Sequence, residues 1–197
     1  FSLYKTYSVH QGLMVVRAGL MAELPNQSHF FNAEFPDKRL NPAGPDHAQV
    51  AAAGAVLDYV EALHGAHGGR SDDDLRSAVA HVSGLWRAHE DVLAGLLLDA
   101  LRDRDDLRVL GPDRVGSIPG HRFPTVAFSP RKIDPDELAR RLVARGVQTS
   151  AGHFYAVRVL EGMGIDPDRG VVRLSAVHYT STDDVDRTIA ALRAELG

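Results

Sequence analysis

Four side chains stand in surroundings that could do chemistry. Lys5 lies in Ser2-Leu3-Tyr4-Lys5-Thr6-Tyr7, followed closely by His10-Gln11-Gly12-Leu13. A lysine amine attacks an aldehyde once desolvation or nearby charge lowers its pKa from about 10.4. Left in water, the same residue is an ordinary surface cation, and the local sequence leaves both readings open. Arg173 lies in the apolar run Val171-Val172-Arg173-Leu174-Ser175-Ala176-Val177-His178-Tyr179. Its planar fork of donors suits two-point capture of a carboxylate, the group by which an amino acid is most simply held. A structural ion pair is the alternative use of an arginine on a strand. His10, two residues before Gly12, and His153, directly after Gly152, lie in segments that read as loops, where an imidazole can act as acid or base near neutrality or simply remain solvated.

Other chemistries are poorly served. The ten histidines include no His-x-x-x-His pair with an adjacent glutamate, and His64 with His67 falls at a glycine-rich helix end, so a metal site is not expected. Gly12, Gly44 and Gly152 form no phosphate-cradling series. The absence of cysteine excludes disulfides, thiolate metal sites and any mechanism that stores sulfur on a thiol of this chain. The net charge of −4 comes without a dense basic stripe, which argues against a nucleic-acid partner. No apolar run approaches the length of about 20 residues that a membrane span requires, and no basic-then-apolar leader is present. The cytoplasm is therefore the expected compartment. The chain opens on Phe1, directly in a structured-looking segment, as expected of a processed product, a truncated piece or one half of a split protein.

The elements that must position these residues follow from pattern. At 197 residues and 44% hydrophobic, the chain can bury a substantial core. Gln11 to Arg17 reads as a short buried strand with Tyr4-Lys5 at its approach. The segment from Leu24 to Asp46, rich in proline and asparagine and carrying Phe30, Phe31 and Phe35, reads as an ordered loop facing a site or a partner subunit. Val50, Ala53, Leu57 and Val60 predict one helix from His47 to His64, closed by Gly65 and the Gly68-Gly69 break. Ser71, followed by Asp72-Asp73-Asp74, reads as the cap of a long helix whose apolar stripe runs from Leu75 to about Arg104. About 30 helical residues span about 45 Å, enough to bridge two domains or to run as a long core helix within one.

Beyond Leu110-Gly111-Pro112 short strands and helices alternate, predicting a small α+β domain with helices on one side of a sheet. Phe123–Phe128 and Val171–Tyr179 read as strands. Asp134-Pro135-Asp136-Glu137 caps a helix stopped by Gly146, and Ser181-Thr182-Asp183-Asp184 caps the last helix, with Val185, Ile189, Leu192 and Leu196 on one face. The expected divisions are 1–70, a long helix over 71–104, and a C-terminal domain over 105–197.

Three of these segments together resemble the class V aminotransferase family, fold type I enzymes that use pyridoxal 5′-phosphate, and especially its cysteine desulfurase-like members. Ser2-Leu3-Tyr4-Lys5 followed by His10-Gln11-Gly12-Leu13 is similar to the family's lysine motif. The resemblance implies that Lys5 forms the Schiff base, that Ser2 contacts the cofactor phosphate and that Tyr4 stands where desulfurases carry a cofactor-side histidine. Leu40-Asn41-Pro42-Ala43-Gly44-Pro45-Asp46-His47 is similar to the family's Gly-Thr-Pro-Asn-His loop, with Gly44 in place of the threonine that reaches the partner subunit's cofactor phosphate. Val172-Arg173-Leu174-Ser175-Ala176-Val177-His178-Tyr179 is similar to the family's C-terminal strand, which implies Arg173 as the substrate carboxylate clamp, with His153 and His10 near the substrate.

Gln148-Thr149-Ser150-Ala151-Gly152-His153-Phe154-Tyr155-Ala156 aligns with the loop that carries the desulfurase nucleophile, with Phe154 or Tyr155 in the place of its cysteine. The resemblance covers only the latter half of a family enzyme: the end of the large cofactor-binding domain over 1–70, the bridging helix over 71–104 and the small α+β domain over 105–197. It implies an enzyme portion of lyase, transaminase or epimerase type acting on an amino acid without persulfide-forming desulfuration. It also implies a homodimer or heteromer completed by the upstream half, as another chain or as a missing segment. The alternative is a noncatalytic subunit or fragment that keeps the fold for assembly.

Overall fold

Four short antiparallel strands organise the better-packed part of the chain, in a computed structural model that describes residues 1–41, 44–117 and 122–197. The chain separates into two units, Phe1–Val82 and Ser83–Gly197, with the division inside the helix α4 (Leu75–Arg102).

In the second unit β1 (Leu107–Leu110), β2 (Thr125–Pro130), β3 (Ser150–Gly152) and β4 (Val171–Ser175) are ordered β1-β2-β4-β3. The register places Ala127 opposite Arg173 on one side of β4 and Ser150 opposite Arg173 on the other. Strand alternation then sends Val172 and Leu174 into a fully enclosed core with Phe128, Val126, Leu138 and Leu142. Burying each such side chain contributes about 1.5–3 kcal/mol. On the other face Val171 joins a smaller cluster with Leu110, Leu160 and Ile165.

The helices that cover the sheet start where local chemistry dictates. Asp134 accepts from the backbone N–H of Asp136 and Glu137 at 3.0 and 3.3 Å, ahead of Pro135 at the head of α5 (Pro135–Ala144). Gly146 follows at φ +83°, a left-handed turn that stops the helix. At α7 (Thr182–Leu196), Ser181 and Asp184 form a reciprocal capping box. The short helix α6 (Val157–Gly162) lies between β3 and β4.

The first unit holds α1 (Ala18–Glu23), α2 (His47–Ala52), α3 (Ala55–Ala66), the start of α4 and single turns at Leu3–Lys5, Phe30–Asn32 and Pro36–Lys38. The strand expected over Gln11–Arg17 is not formed. Only its first residues pair, around an isolated Ser2↔Gly12 bridge among the described residues, and Val15 is 90% exposed. An apolar run becomes a strand only where a partner ladder receives it, and no strand of this unit does so among the described residues. The helix expected from His47 to His64 is divided at Ala53-Gly54, where a glycine weakens the run by about 1 kcal/mol.

The long helix begins at Leu75, so its cap is Asp74, which accepts from the Ser77 N–H at 2.7 Å, rather than Ser71. The 24–46 segment is tied down by Arg39, whose guanidinium donates to the carbonyls of Met21, Ala22 and Leu24. Pro42 and Ala43 of the Leu40–His47 motif lie outside the described residues. Among those described, no helix is long and apolar enough to cross a membrane.

Candidate functional site

At the start of the chain, backbone pairing folds a short hook. The Leu3 N–H donates to the Gln11 carbonyl at 2.8 Å, and Leu13 and Phe1 exchange N–H···O bonds at 2.7 and 2.8 Å. Leu3 is the buried anchor of the hook. The fold-back stacks the His10 ring on Tyr4, with centroids 4.3 Å apart and planes 7° from parallel. The Lys5 amine lies 5.5 Å from the centroid of the same Tyr4 ring, a cation–π distance.

The structure thus brings Tyr4, Lys5 and His10 into one exposed cluster, with Ser2 three residues before the amine. Among the described residues neither the Lys5 amine nor the Ser2 hydroxyl has a hydrogen-bond partner or ion pair. An amine and a hydroxyl with hydrogen-bonding capacity to spare are groups of the kinds that can take an aldehyde and a phosphate.

The second unit places Arg173 differently. It projects, half-buried, from the β4 face opposite the main core, and its Cζ sits 4.0 Å from the centroid of the Phe154 ring. Among the described residues its guanidinium has neither a hydrogen bond nor an ion pair. Its backbone is fixed instead: the Thr149 hydroxyl donates to the Arg173 carbonyl at 2.8 Å. A depression of ≈ 260 Å³ is lined by Gln148, Thr149, Ser150, Arg173 and Ser175. A half-buried cation with unused donors above a small polar depression is equipped to hold a carboxylate.

His153 lies beside this region rather than against the guanidinium. It is exposed, and its Nδ1 accepts from the Tyr155 N–H at 3.1 Å. Near the end of β4, His178 packs against Trp86 with centroids 4.5 Å apart, and burial pushes its imidazole below the ordinary value. Among the described residues no group of three or more metal-binding side chains occurs.

Two features escaped the sequence reading. Phe154 serves as the surface on which Arg173 rests, which the unrecognised strand β3 and its register with β4 make possible. In the first unit His64, buried, is joined through Nδ1 to His81 Nδ1 at 2.8 Å and through Nε2 to Asp73 at 2.9 Å. The only sequence signal for that tie is the coincidence of two histidines and an aspartate around the Gly68-Gly69 turn.

Comparison with known proteins places the architecture first. The fold is that of the fold type I cysteine desulfurases, matched over 100% of this chain and 45% of the other by a NifS-like protein, with a TM-score of 0.67 at 19% identity. The cysteine desulfurase CsdA of Escherichia coli is matched over 80% of this chain and 32% of its own, with a TM-score of 0.56 at 23% identity.

The family follows from sequence. Residues 83–188 match the aminotransferase class-V family model, and the chain belongs to that family, whose enzymes depend on pyridoxal phosphate. Its relatives include an aminotransferase-like protein, FGM3, of Gibberella zeae, 29% identical over 100% of this chain and 45% of that protein. A probable cysteine desulfurase of Pseudomonas putida is 30% identical over 75% of this chain and 30% of that protein. The chain thus spans less than half the length of these relatives.

Proposed function

We propose that the chain is the C-terminal portion of a pyridoxal-phosphate enzyme that acts on an amino acid by lyase, transaminase or epimerase chemistry. The observation that carries the reading is the Arg173 guanidinium, half-buried on a strand yet without a hydrogen bond or ion pair among the described residues. A guanidinium whose donors are left unused beside an open polar depression is free to take a carboxylate in two-point fashion.

In this reading Arg173 receives the substrate carboxylate in two-point fashion and so fixes which face of the amino acid is presented. Ser2, through its hydroxyl, holds the cofactor phosphate, Tyr4 flanks it, and Lys5 supplies the amine that anchors the cofactor. When bound, pyridoxal phosphate supplies the electron sink that labilises bonds at the substrate Cα. Lys5 Nζ then moves a proton at that carbon, with His10 and His153 as nearby polar contacts. No thiol exists on this chain to carry sulfur, so the reading assigns chemistry other than persulfide formation. The remaining cofactor contacts come from the upstream half, as part of the same polypeptide or as a partner, in a homodimer or heteromer.

Borohydride reduction in the presence of pyridoxal phosphate, followed by peptide mapping, tests the assignment. A pyridoxyl group on Lys5 is the expected product, and labelling elsewhere overturns it.

One observation favours a second reading. Phe30 and Phe31 are 86% and 62% exposed in the 24–46 segment, as in a subunit kept for assembly alone. A purified chain that stays colourless with added cofactor, alone and with the upstream half supplied, would support that reading.

A further inference from the structure

We infer that Phe154 is a positioning residue, whose ring holds the Arg173 guanidinium in the orientation that receives a carboxylate. The inference rests on the assignment of Arg173 as the carboxylate clamp and concerns how that clamp is kept ready.

An arginine side chain free in solvent samples many rotamers, and ordering it on binding opposes affinity. Here one contact restricts it: the guanidinium lies over the Phe154 face, 4.0 Å from Cζ to the ring centroid. That contact spends none of the guanidinium N–H groups in a hydrogen bond or ion pair among the described residues, which leaves them for an anion.

The loop is built in a way that plain packing does not require. Phe154 and Tyr155 have φ of 48° and 60°, consecutive left-handed residues that are neither glycine nor asparagine. Such strain persists where the surroundings over-determine it. His153 supplies that constraint, its carbonyl accepting from the Ala156 N–H at 2.7 Å and its Nδ1 from the Tyr155 N–H at 3.1 Å. Phe154 also packs against the cluster of Leu160, Ile165 and Val171. The result is a divergent pair, with Phe154 turned in under Arg173 and Tyr155 wholly exposed.

The test uses the 197-residue chain, labelled with nitrogen-15 and titrated with sodium propionate as the carboxylate probe. The Arg173 Nε–H resonance is assigned by its loss in Arg173→Lys. In the unsubstituted chain it is displaced by the Phe154 ring current and moves further on adding propionate. Phe154→Tyr keeps both properties. Phe154→Leu, which retains apolar packing, loses the ring-current displacement and binds propionate about threefold to tenfold more weakly. Propionate affinity unchanged in Phe154→Leu but lost in Arg173→Lys overturns the role of Phe154 and leaves the clamp standing. An Arg173 resonance indifferent to propionate in the unsubstituted chain overturns the clamp, and this inference with it.

Discussion

The two units place their apolar residues in opposite ways. In Ser83–Gly197 the strand and helix periodicities converge on one enclosed core around Phe128, Leu98, Leu138 and Val172. In Phe1–Val82 the buried apolar residues among those described are Leu3, Val60, Ala78 and Val82, while Val15, Phe30 and Met14 stand largely in solvent. The second unit is held by a sheet and its helices; the first is held by polar ties, notably Arg39 on three carbonyls and the His81–His64–Asp73 chain. The contrast teaches that a segment can be ordered without being self-sufficient.

The most damaging way to test the contrast is to excavate the core. Phe128→Ala should cost about 3–5 kcal/mol, because a fully enclosed ring leaves a cavity that the sheet cannot close. Trp86, the only tryptophan, lies in the second unit and reports its unfolding by fluorescence in urea. Phe30→Ser, at an 86% exposed ring, should change stability by no more than about 0.5 kcal/mol. Equal costs at the two phenylalanines would erase the distinction.

A smaller effect is expected from Gly69→Ala, which strikes the polar tie of the first unit. A Cβ on Gly69 would fall 2.2 Å from His64 Nε2, so the ring must leave Asp73. Losing that buried hydrogen bond should cost about 1–3 kcal/mol. Hydrogen exchange in α3 should accelerate while the Trp86 transition holds its midpoint. Unchanged α3 exchange would show that something other than polar ties orders this unit.

What was legible in the sequence divides along the same line. Helix starts at Asp134-Pro135 and Ser181-x-x-Asp184 were readable because a cap is settled by the few residues around it. The inward alternation of Val172 and Leu174 about Arg173 was readable for the same reason. The strands β1 and β3, four and three residues long, were not, since so short a run owes its conformation to its partners. Gln11–Arg17 erred the other way, an apolar run read as a strand without a ladder to join. At the candidate site Arg173 could be singled out by residue type, but its contact with Phe154 depends on the β3–β4 register and on two left-handed residues that no local pattern announces. The His64 tie is likewise a product of the turn between α3 and α4, where distant partners meet.

The smallest expected effect concerns charge. Arg104 donates to both carboxylate oxygens of Asp106 at 2.9 and 2.7 Å, and this hydrogen bonding holds the Asp106 carboxyl below its ordinary value. A carboxyl whose folded-state pKa is depressed contributes stability above the unfolded value and loses it as pH falls through the folded one. Asp106→Asn should therefore cost about 1 kcal/mol at neutral pH, screening near the surface keeping the figure low. The cost should shrink as pH falls below the ordinary carboxyl range and through the depressed folded-state value, where the native carboxyl is protonated as well. Because the pair lies in the second unit, the difference should register in Trp86 fluorescence and leave the hydrogen exchange of α3 untouched. A penalty that stays constant from neutral to acid pH would mean that Asp106 acts through the shape of its loop rather than through its charge.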